Sequence, residues 1–192
     1  MKTRPATHAA AHGDRELLAA IADGNLDALG EFFERYEPAV RRYLGHLGIG
    51  SNDADDLVQV TFLEVVPAAA RFDPKYPARS WLFGIATVMV RRHRRSVRRQ
   101  VERLAAWARI VRHETEPTPA DMFERDDAAR RLAAALECMS VKKREVFMLM
   151  TIEGLNGEET ANALAIPVKT VWTRLHYARL ELLDALCEEA GR

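Results

Sequence analysis

Apolar residues recur at helical spacing through the first half of the chain. The stripe from Asp14 to Leu47 is interrupted at Asp23-Gly24-Asn25, which predicts two amphipathic helices separated by a turn. A third helix is predicted to begin at the capping residues Ser51-Asn52-Asp53. The proline-containing loop from Phe72 to Pro77 precedes a fourth apolar stripe, which runs directly into a block of arginines.

The second half of the chain predicts a short helix, a tight turn and a longer helix. A further helix precedes the short one. Ser140 is placed to cap the start of this helix, and Gly154 is placed to end it in a left-handed conformation. Asn156 and Glu159 have the spacing of a capping box at the start of the short helix, and Ala165-Ile166-Pro167 forms the turn that follows. Because the pattern is helical in both halves, the predicted fold class is all-α, with two small helical domains.

The boundary between the two domains is indicated by composition. The segment 113–127 is rich in Glu, Thr, Pro and Asp and lacks the apolar residues needed to form a core. We therefore predict a disordered tail at 1–13, a first domain at 14–112, a flexible acidic linker at 113–127 and a second domain at 128–192. The longest apolar stretch, Trp81 to Val90, is too short to span a bilayer, so we expect a soluble cytoplasmic protein that is not exported.

Charge is balanced overall but unevenly distributed. The 28 basic and 28 acidic residues cancel, which gives no general excess for binding nucleic acid. The block from Arg91 to Arg103, however, holds seven arginines against the single acid Glu102. From Arg91 to Arg99 only Val97 faces a core, so we expect this helix to be surrounded by solvent or by a polyanion. If the partner of this helix is a polyanion, its binding should weaken strongly as the salt concentration rises.

The longer helix of the second domain has the pattern of a DNA-reading helix. Its apolar residues Val171, Leu175 and Ala178 share one face, and a polar face lies opposite. Such a helix fits the major groove, which is about 12 Å wide, although helix-turn-helix spacing also occurs in bundles that bind no DNA. A tryptophan among these polar positions indicates either packing or a DNA contact. The candidate DNA-binding residues of this helix are Lys169, Thr170, Trp172, Thr173, Arg174, His176 and Arg179.

No residue pattern suggests catalysis or metal binding. The six histidines are scattered, and no nucleophile and base stand at a recognisable spacing. Cys138 and Cys187 are isolated and lack the spacing of a zinc site. We therefore expect no catalytic residues, no metal and no cofactor.

Two sets of motifs resemble the extracytoplasmic-function sigma factors, a group of small bacterial promoter-recognition proteins. The resemblance covers most of 17–99 and 132–186. The motifs similar to sigma region two are Asp53 to Leu63, Arg71 to Pro74 and Ser80 to Ala86. The motifs similar to sigma region four are Glu153 to Leu155, Glu158 to Ala161 and Ile166 to Arg179.

The resemblance implies that the partners are core RNA polymerase, promoter DNA and an anti-sigma factor. In this family, region two lies on the clamp coiled coil of the polymerase, and the flap of a large subunit is a further contact. From the residues alone, acids in a first helical turn are accounted for by the helix dipole, at about 0.3–1 kcal/mol each. The resemblance makes the following residues candidates for polymerase binding: Asp53, Asp55, Asp56, Gln59 and Glu64.

The resemblance also implies how the promoter is divided between the domains. The second domain would read minus-thirty-five duplex DNA, and the first would hold the melted non-template strand of the minus-ten element. The candidate minus-ten residues, in the loop and the arginine block, are Lys75, Arg79, Ser80, Trp81, Arg91, Arg92, Arg94 and Arg95.

The sequence departs from the family pattern at several positions. Val88 and Arg92 stand where relatives often carry Asn and Asp, Pro67 lies inside the third helix, and Met139-Ser140-Val141 replaces a Leu-Pro-Pro-like start. The minus-ten sequence preference is therefore not carried over. The alternative function is a free-standing helix-turn-helix repressor, which needs a dimer surface and a two-fold operator. A pure interaction module would leave the arginine block without a role.

Overall fold

The computed structural model describes residues 13–108, 136 and 139–190 of the chain. Within these ranges the protein is helical and contains no strand, so the predicted all-α fold is confirmed. The acidic linker at 113–127, and the tail at 1–13 apart from Gly13, lie outside the described residues. The helices are α1 (Asp14–Ala22), α2 (Leu26–His46), α3 (Ser51–Ala68), α4 (Ala78–Ala108), α5 (Val141–Phe147), α6 (Gly157–Leu164) and α7 (Val168–Ala190).

Helices α1 to α4 form an N-terminal bundle around a buried aromatic core. Asn25 separates α1 from α2 as predicted, and its side chain accepts a hydrogen bond from the Ala28 amide at 3.1 Å. The ring of Tyr43 is fully buried against Phe83, with 4.8 Å between ring centroids. The buried Tyr43 hydroxyl forms a hydrogen bond with the Thr87 hydroxyl, 2.8 Å away. Burial raises the pKa of Tyr43 well above its ordinary value, so the phenol stays neutral.

Helices α5 to α7 form a C-terminal unit whose turns follow the sequence signals. Asn156 accepts hydrogen bonds from two amides of α6, and the Glu159 carboxylate accepts one from the Asn156 amide, which completes the predicted capping box. Gly154 has φ +73°, as a helix-ending glycine requires, and Ala165 takes φ +52° in the turn before α7. The helix that begins after Ser140 changes into a π-helical turn at Met148–Ile152, which the sequence pattern did not predict.

The N-terminal bundle and the C-terminal unit pack directly against each other. Helix α4 lies against α6, and the apolar core is continuous across the two. At the crossing, a Cβ added to Gly84 would lie 2.6 Å from the carbonyl oxygen of Ala163. Such a separation is shorter than any allowed contact, so the two backbones approach each other because residue 84 has no side chain.

Candidate nucleic-acid interface

Helix α7 presents the polar face that the sequence predicted. Val171, Leu175 and Ala178 are buried against the rest of the C-terminal unit and fix the rotation of the helix. Thr170 and Arg174 are half-buried at the edge of that contact. The remaining candidate side chains are exposed together on the opposite face, namely Lys169, Trp172, Thr173, His176 and Arg179.

Trp172 combines packing with exposure. One edge of its indole lies over the backbone of Gly157 at the start of α6, where an added Cβ would come within 3.0 Å of the ring. The side chain nevertheless remains 53% exposed. The contact with Gly157 orients the ring, and the exposed part stays available to a ligand on the polar face of α7.

The arginine block belongs to one continuous helix, and part of its charge is satisfied by the protein itself. Arg91 makes two parallel hydrogen bonds to the carboxylate of Glu145, with N to O distances of 2.9 and 2.6 Å. These bonds stabilise the charged form of Arg91 by more than burial destabilises it, so the pKa of Arg91 is raised. Arg94 donates to the carbonyl of Leu47. The expectation that solvent or a polyanion surrounds the whole block is therefore wrong at Arg91 and Arg94.

Other members of the block lie on the surface of α4. Arg92 is exposed and contacts Glu64 at 3.0 Å, an exposed pairing of little energetic consequence. Arg95 is exposed, as are the side chains at 96–100. The surface offered by Arg92 and Arg95 thus matches the prediction of a cationic face open to a polyanion.

The loop before α4 and the first turn of α4 hold the remaining minus-ten candidates in different environments. Lys75 is exposed, and its amide donates to the Asp73 carboxylate at 2.9 Å. Trp81 is half-buried and packs edge-on against Phe72, with 5.4 Å between centroids. Ser80 is buried, and its hydroxyl donates to the Pro77 carbonyl at 2.8 Å, so in this conformation it faces the helix start instead of the surface.

Arg79 points toward the C-terminal unit. Its guanidinium donates to the carboxylate of Glu153 and, at 3.0 Å, to the Glu153 carbonyl. The Glu153 carboxyl group is completely buried and also lies 3.3 Å from Arg42 and 3.7 Å from His46. We call the contacts of Glu145 with Arg91, and of Glu153 with Arg79 and Arg42, the carboxylate contact.

A cavity of about 400 Å³ lies between the two halves of the molecule. Trp81, Ile85 and Arg92 line it from the N-terminal bundle. Asn162 and Ala163 of α6 close its other side. The C-terminal unit therefore forms one wall of the space next to the predicted minus-ten residues.

The predicted polymerase-binding residues lie along α3. Asp53, Asp55, Asp56 and Gln59 are exposed, whereas Glu64 is half-buried. Asp55 pairs with Arg41 of α2, whereas Asp53 lies 3.4 Å from His93 of α4, so these two acids face different neighbouring helices.

Sequence reasoning missed an apolar surface beside them. Leu26 is 74% exposed and Leu63 66%, and both line a groove of about 440 Å³ together with Phe33 and Gln59. Val60, which is 42% exposed, lies on the same helix as Leu63 but does not line the groove. The available signal was that Val60 and Leu63 fall outside the inward-facing stripe of α3. Exposed apolar residues grouped in this way indicate a binding surface.

The described residues hold neither a candidate metal site nor a helix that could span a membrane. Within 13–108, 136 and 139–190, no three His, Cys, Asp or Glu side chains converge as a metal site would require. No helix in the described part of the chain has the length and apolar character to cross a membrane.

Comparison with known proteins identifies both halves of the fold. Residues 32–100 match the family Sigma-70 region 2, and residues 129–182 match Sigma-70, region 4. The chain is 34% identical over 187 residues to the RNA polymerase sigma factor CnrH of Cupriavidus metallidurans, covering 92% of this chain and 97% of CnrH. It is 32% identical over 181 residues to the ECF RNA polymerase sigma factor SigC of Mycobacterium tuberculosis, covering 91% and 89% of the two chains.

Solved structures agree with these relationships. CnrH in complex with the cytosolic domain of CnrY matches with a TM-score of 0.64 at 31% identity, over 91% of this chain and 97% of CnrH. The sigma factor RpoE, in complex with the anti-sigma factor NepR from Bartonella quintana, shares the fold with a TM-score of 0.60 at 24% identity, over 82% and 95% of the chains.

Region 2 followed by region 4 on one chain defines an RNA polymerase sigma factor, which acts with core polymerase on promoter DNA. Within that class, the chain belongs to the extracytoplasmic-function, or ECF, sigma factors. The predicted function in promoter-specific transcription initiation is confirmed, and the alternative of a free-standing repressor is not favoured. Proteins of this class are DNA-binding regulators and not enzymes.

Proposed function

We propose that the exposed face of α7 reads the minus-thirty-five element as duplex DNA. The observation that carries this assignment is that Lys169, Trp172 and Thr173 lie on one exposed face while Val171 and Leu175 anchor the opposite face. A helix held in this way can present side chains near its N-terminus to the major groove.

Arg174 tests the assignment because it lies at the edge of this face. If it reads a base edge, Arg174→Ala will cost about 1–3 kcal/mol at one base position, whereas a phosphate contact will weaken all sequences alike. Fluorescence anisotropy with the full chain and a set of single-base duplex variants measures both effects. Arg15→Ala is the control, since Arg15 is exposed on α1, remote from α7 in the chain. Duplex affinity that is unchanged in Arg174→Ala contradicts the assignment.

We further propose that the opened minus-ten strand runs along α4 and the loop before it. Exposed Lys75, Arg92 and Arg95 supply cations, and the half-buried Trp81 supplies a surface on which a base can stack. A captured base contributes roughly 1–3 kcal/mol, and opening costs about 1.4 kcal/mol per base-pair step. The chain therefore holds the strand only after polymerase has helped to open it, and itself performs no chemistry.

The apolar surface around Leu26, Val60 and Leu63 is proposed as the centre of the polymerase clamp contact. Gln59 and Asp56 lie exposed on the same helix and would form its polar rim. Leu63→Ser should lower affinity for core polymerase by about tenfold or more, because a buried leucine contributes roughly 1.5–3 kcal/mol. Ile152→Ser is the control, since Ile152 is also an exposed aliphatic side chain but belongs to the C-terminal unit. Equal affinity of both variants for core polymerase would remove this surface from the interface.

A second apolar surface, on α7, is proposed to contact the polymerase flap. Tyr177, Leu180 and Leu183 are 52%, 43% and 58% exposed, and are separated by three residues each along the helix. Loss of binding to an isolated flap domain in Leu180→Ser would support this contact, and unchanged binding would refute it.

We also propose that the chain acts in the cytoplasm, where polymerase and chromosomal DNA are found, and that an anti-sigma factor regulates it, as the complex of CnrH with CnrY suggests.

A further inference from the structure

Trp172 places a large aromatic side chain on the polar face of α7. It is the fifth residue of the helix, and 53% of its surface is open to solvent. In a helix that enters the major groove, side chains near the N-terminus are the ones that reach base edges. An indole left in water forfeits most of the stabilisation that burial would give it, so an exposed ring at this position indicates a contact with a ligand.

The start of α6 holds the indole in place. A Cβ at Gly157 would lie 3.0 Å from Cζ2, 3.2 Å from Cε2 and 3.3 Å from Nε1 of the Trp172 ring. A side chain at residue 157 would displace the ring, so the glycine lets this side of the indole rest on the α6 backbone. That backbone is itself fixed, because Asn156 and Glu159 complete the capping box around it. The ring is therefore oriented before DNA arrives and loses little rotamer entropy on binding.

The side chains around the ring are polar or cationic. Lys169, His176 and Arg179 lie three, four and seven positions from Trp172, which is the spacing of one helical face. All three side chains are exposed. A ring between a lysine and an arginine fits a groove bordered by phosphates and does not fit an apolar protein surface.

The chemistry of the exposed part of the ring selects one group in that groove. Bases present N7 atoms, carbonyl oxygens and amino groups to the major groove, and thymine alone adds an apolar C5 methyl. The N–H group, through which an indole forms hydrogen bonds, lies on the side turned toward Gly157. The rest of the ring is carbon, which matches a methyl group and leaves a polar base edge unsatisfied.

We propose that Trp172 reads the C5 methyl group of one thymine in the minus-thirty-five element, and that Gly157 is the positioning residue that sets the indole against it. Lys169 and Arg179 hold the phosphates beside that base. This inference rests on the proposed assignment of α7 to minus-thirty-five duplex DNA, and it adds the base and the chemical group that one side chain recognises.

Replacement of thymine by deoxyuridine removes the methyl group and keeps every hydrogen-bonding group of the base. The probe is a fluorescent duplex with the minus-thirty-five element of a promoter from which the reconstituted holoenzyme initiates, and each thymine of both strands is replaced in turn. We expect one replacement to weaken binding of the natural full chain by about fourfold, as the loss of one buried methyl group implies. An element in which no thymine is sensitive, or which contains no thymine, would overturn the inference.

Trp172→Ala identifies the side chain that senses the methyl group. Thymine and deoxyuridine at the sensitive position should bind this variant alike, because the two changes remove the two sides of one contact. Trp172→Phe keeps an apolar ring and should retain part of the preference. Ile152→Ala is the control, since it removes an exposed apolar side chain elsewhere in the C-terminal unit, and it should keep the natural preference. A preference that survives intact in Trp172→Ala would overturn the inference.

Gly157→Ala tests the positioning of the ring. Its methyl group would push the indole away from the start of α6. We expect the preference for thymine to fall toward that of Trp172→Ala, while affinity for the deoxyuridine duplex stays at the natural value. Gly45→Ala is the matched control, because a Cβ there meets no atom within 4 Å, and it should keep the natural preference. An unchanged preference in Gly157→Ala would remove the positioning role of Gly157.

Failure of this inference and failure of the proposed function give different results. If Arg174→Ala weakens duplex binding but no thymine methyl group depends on Trp172, then α7 reads the duplex and the methyl contact is wrong. If Arg174→Ala and Trp172→Ala both bind the duplex like the natural chain, the assignment of α7 fails and the methyl contact fails with it.

Discussion

His46 and Glu153 meet inside the carboxylate contact, where the imidazole Nδ1 lies 3.7 Å from the Glu153 Oε1. Burial lowers the pKa of His46 below its ordinary value of 6.5, and Arg42 lowers it further, while Glu153 acts in the opposite direction. Arg79 is the other charged group on this carboxylate. The neutral imidazole is thus the form that the folded protein favours.

We expect the stability of the protein to fall on mild acidification. The folded state binds the His46 proton less readily than the unfolded chain does. The free energy of unfolding should therefore decrease as the pH falls from neutrality through 6.5 toward the lowered pKa. His46→Gln should show a shallower decrease over this window, measured by urea denaturation at a series of pH values. Superimposable pH profiles of the two proteins would contradict this account.

Single residues show what the sequence could and could not predict about the site. The exposed face of α7 was predicted because amphipathic spacing separates Lys169 and Thr173 from Val171 and Leu175. Glu145 was not predicted as a partner of Arg91, since 54 positions separate them along the chain and spacing within one helix carries no information about another. The partners of a buried acid are visible only once the helices are packed.

The ends of the helices could be predicted from local sequence signals, whereas the contacts between helices could not. Caps at Asn25 and Asn156 and the positive φ of Gly154 fixed helix ends that the sequence predicted. The continuity of α4 through the arginines was harder to predict, because the apolar stripe ends midway along it. Its packing on α6 depends on Gly84, whose missing side chain has no signature in the hydrophobic pattern.

Glycine-to-alanine substitutions in two helices should separate helix propensity from domain packing. Gly45 lies in α2 with open space around a potential Cβ, so Gly45→Ala should raise the free energy of unfolding by about 1 kcal/mol. Gly84→Ala gains the same propensity, but its methyl group would lie 2.6 Å from the Ala163 carbonyl oxygen. We expect Gly84→Ala to expose α6 to faster hydrogen exchange and to gain less stability than Gly45→Ala. Equal stabilisation, with α6 exchange unchanged, would refute close α4–α6 packing in solution.

In the whole molecule the net charge is zero, but the two halves carry complementary charges where they meet. The 28 basic and 28 acidic residues balance, yet acids of the C-terminal unit lie on arginines of the N-terminal bundle. The sequence predicted two helical domains and their separate DNA elements from motifs within each. It did not predict the contact between them, because each motif is local and the contact joins residues far apart in the chain.

Both DNA surfaces of this chain are expected to act together when polymerase initiates transcription. Mapping of RNA 5′ ends made on genomic DNA by core polymerase, with and without the full chain, tests it most directly. We predict discrete new start sites that share two sequence elements, one at each of the minus-thirty-five and minus-ten positions. Start sites identical to those of core polymerase alone, or new sites that share neither element, would contradict the account.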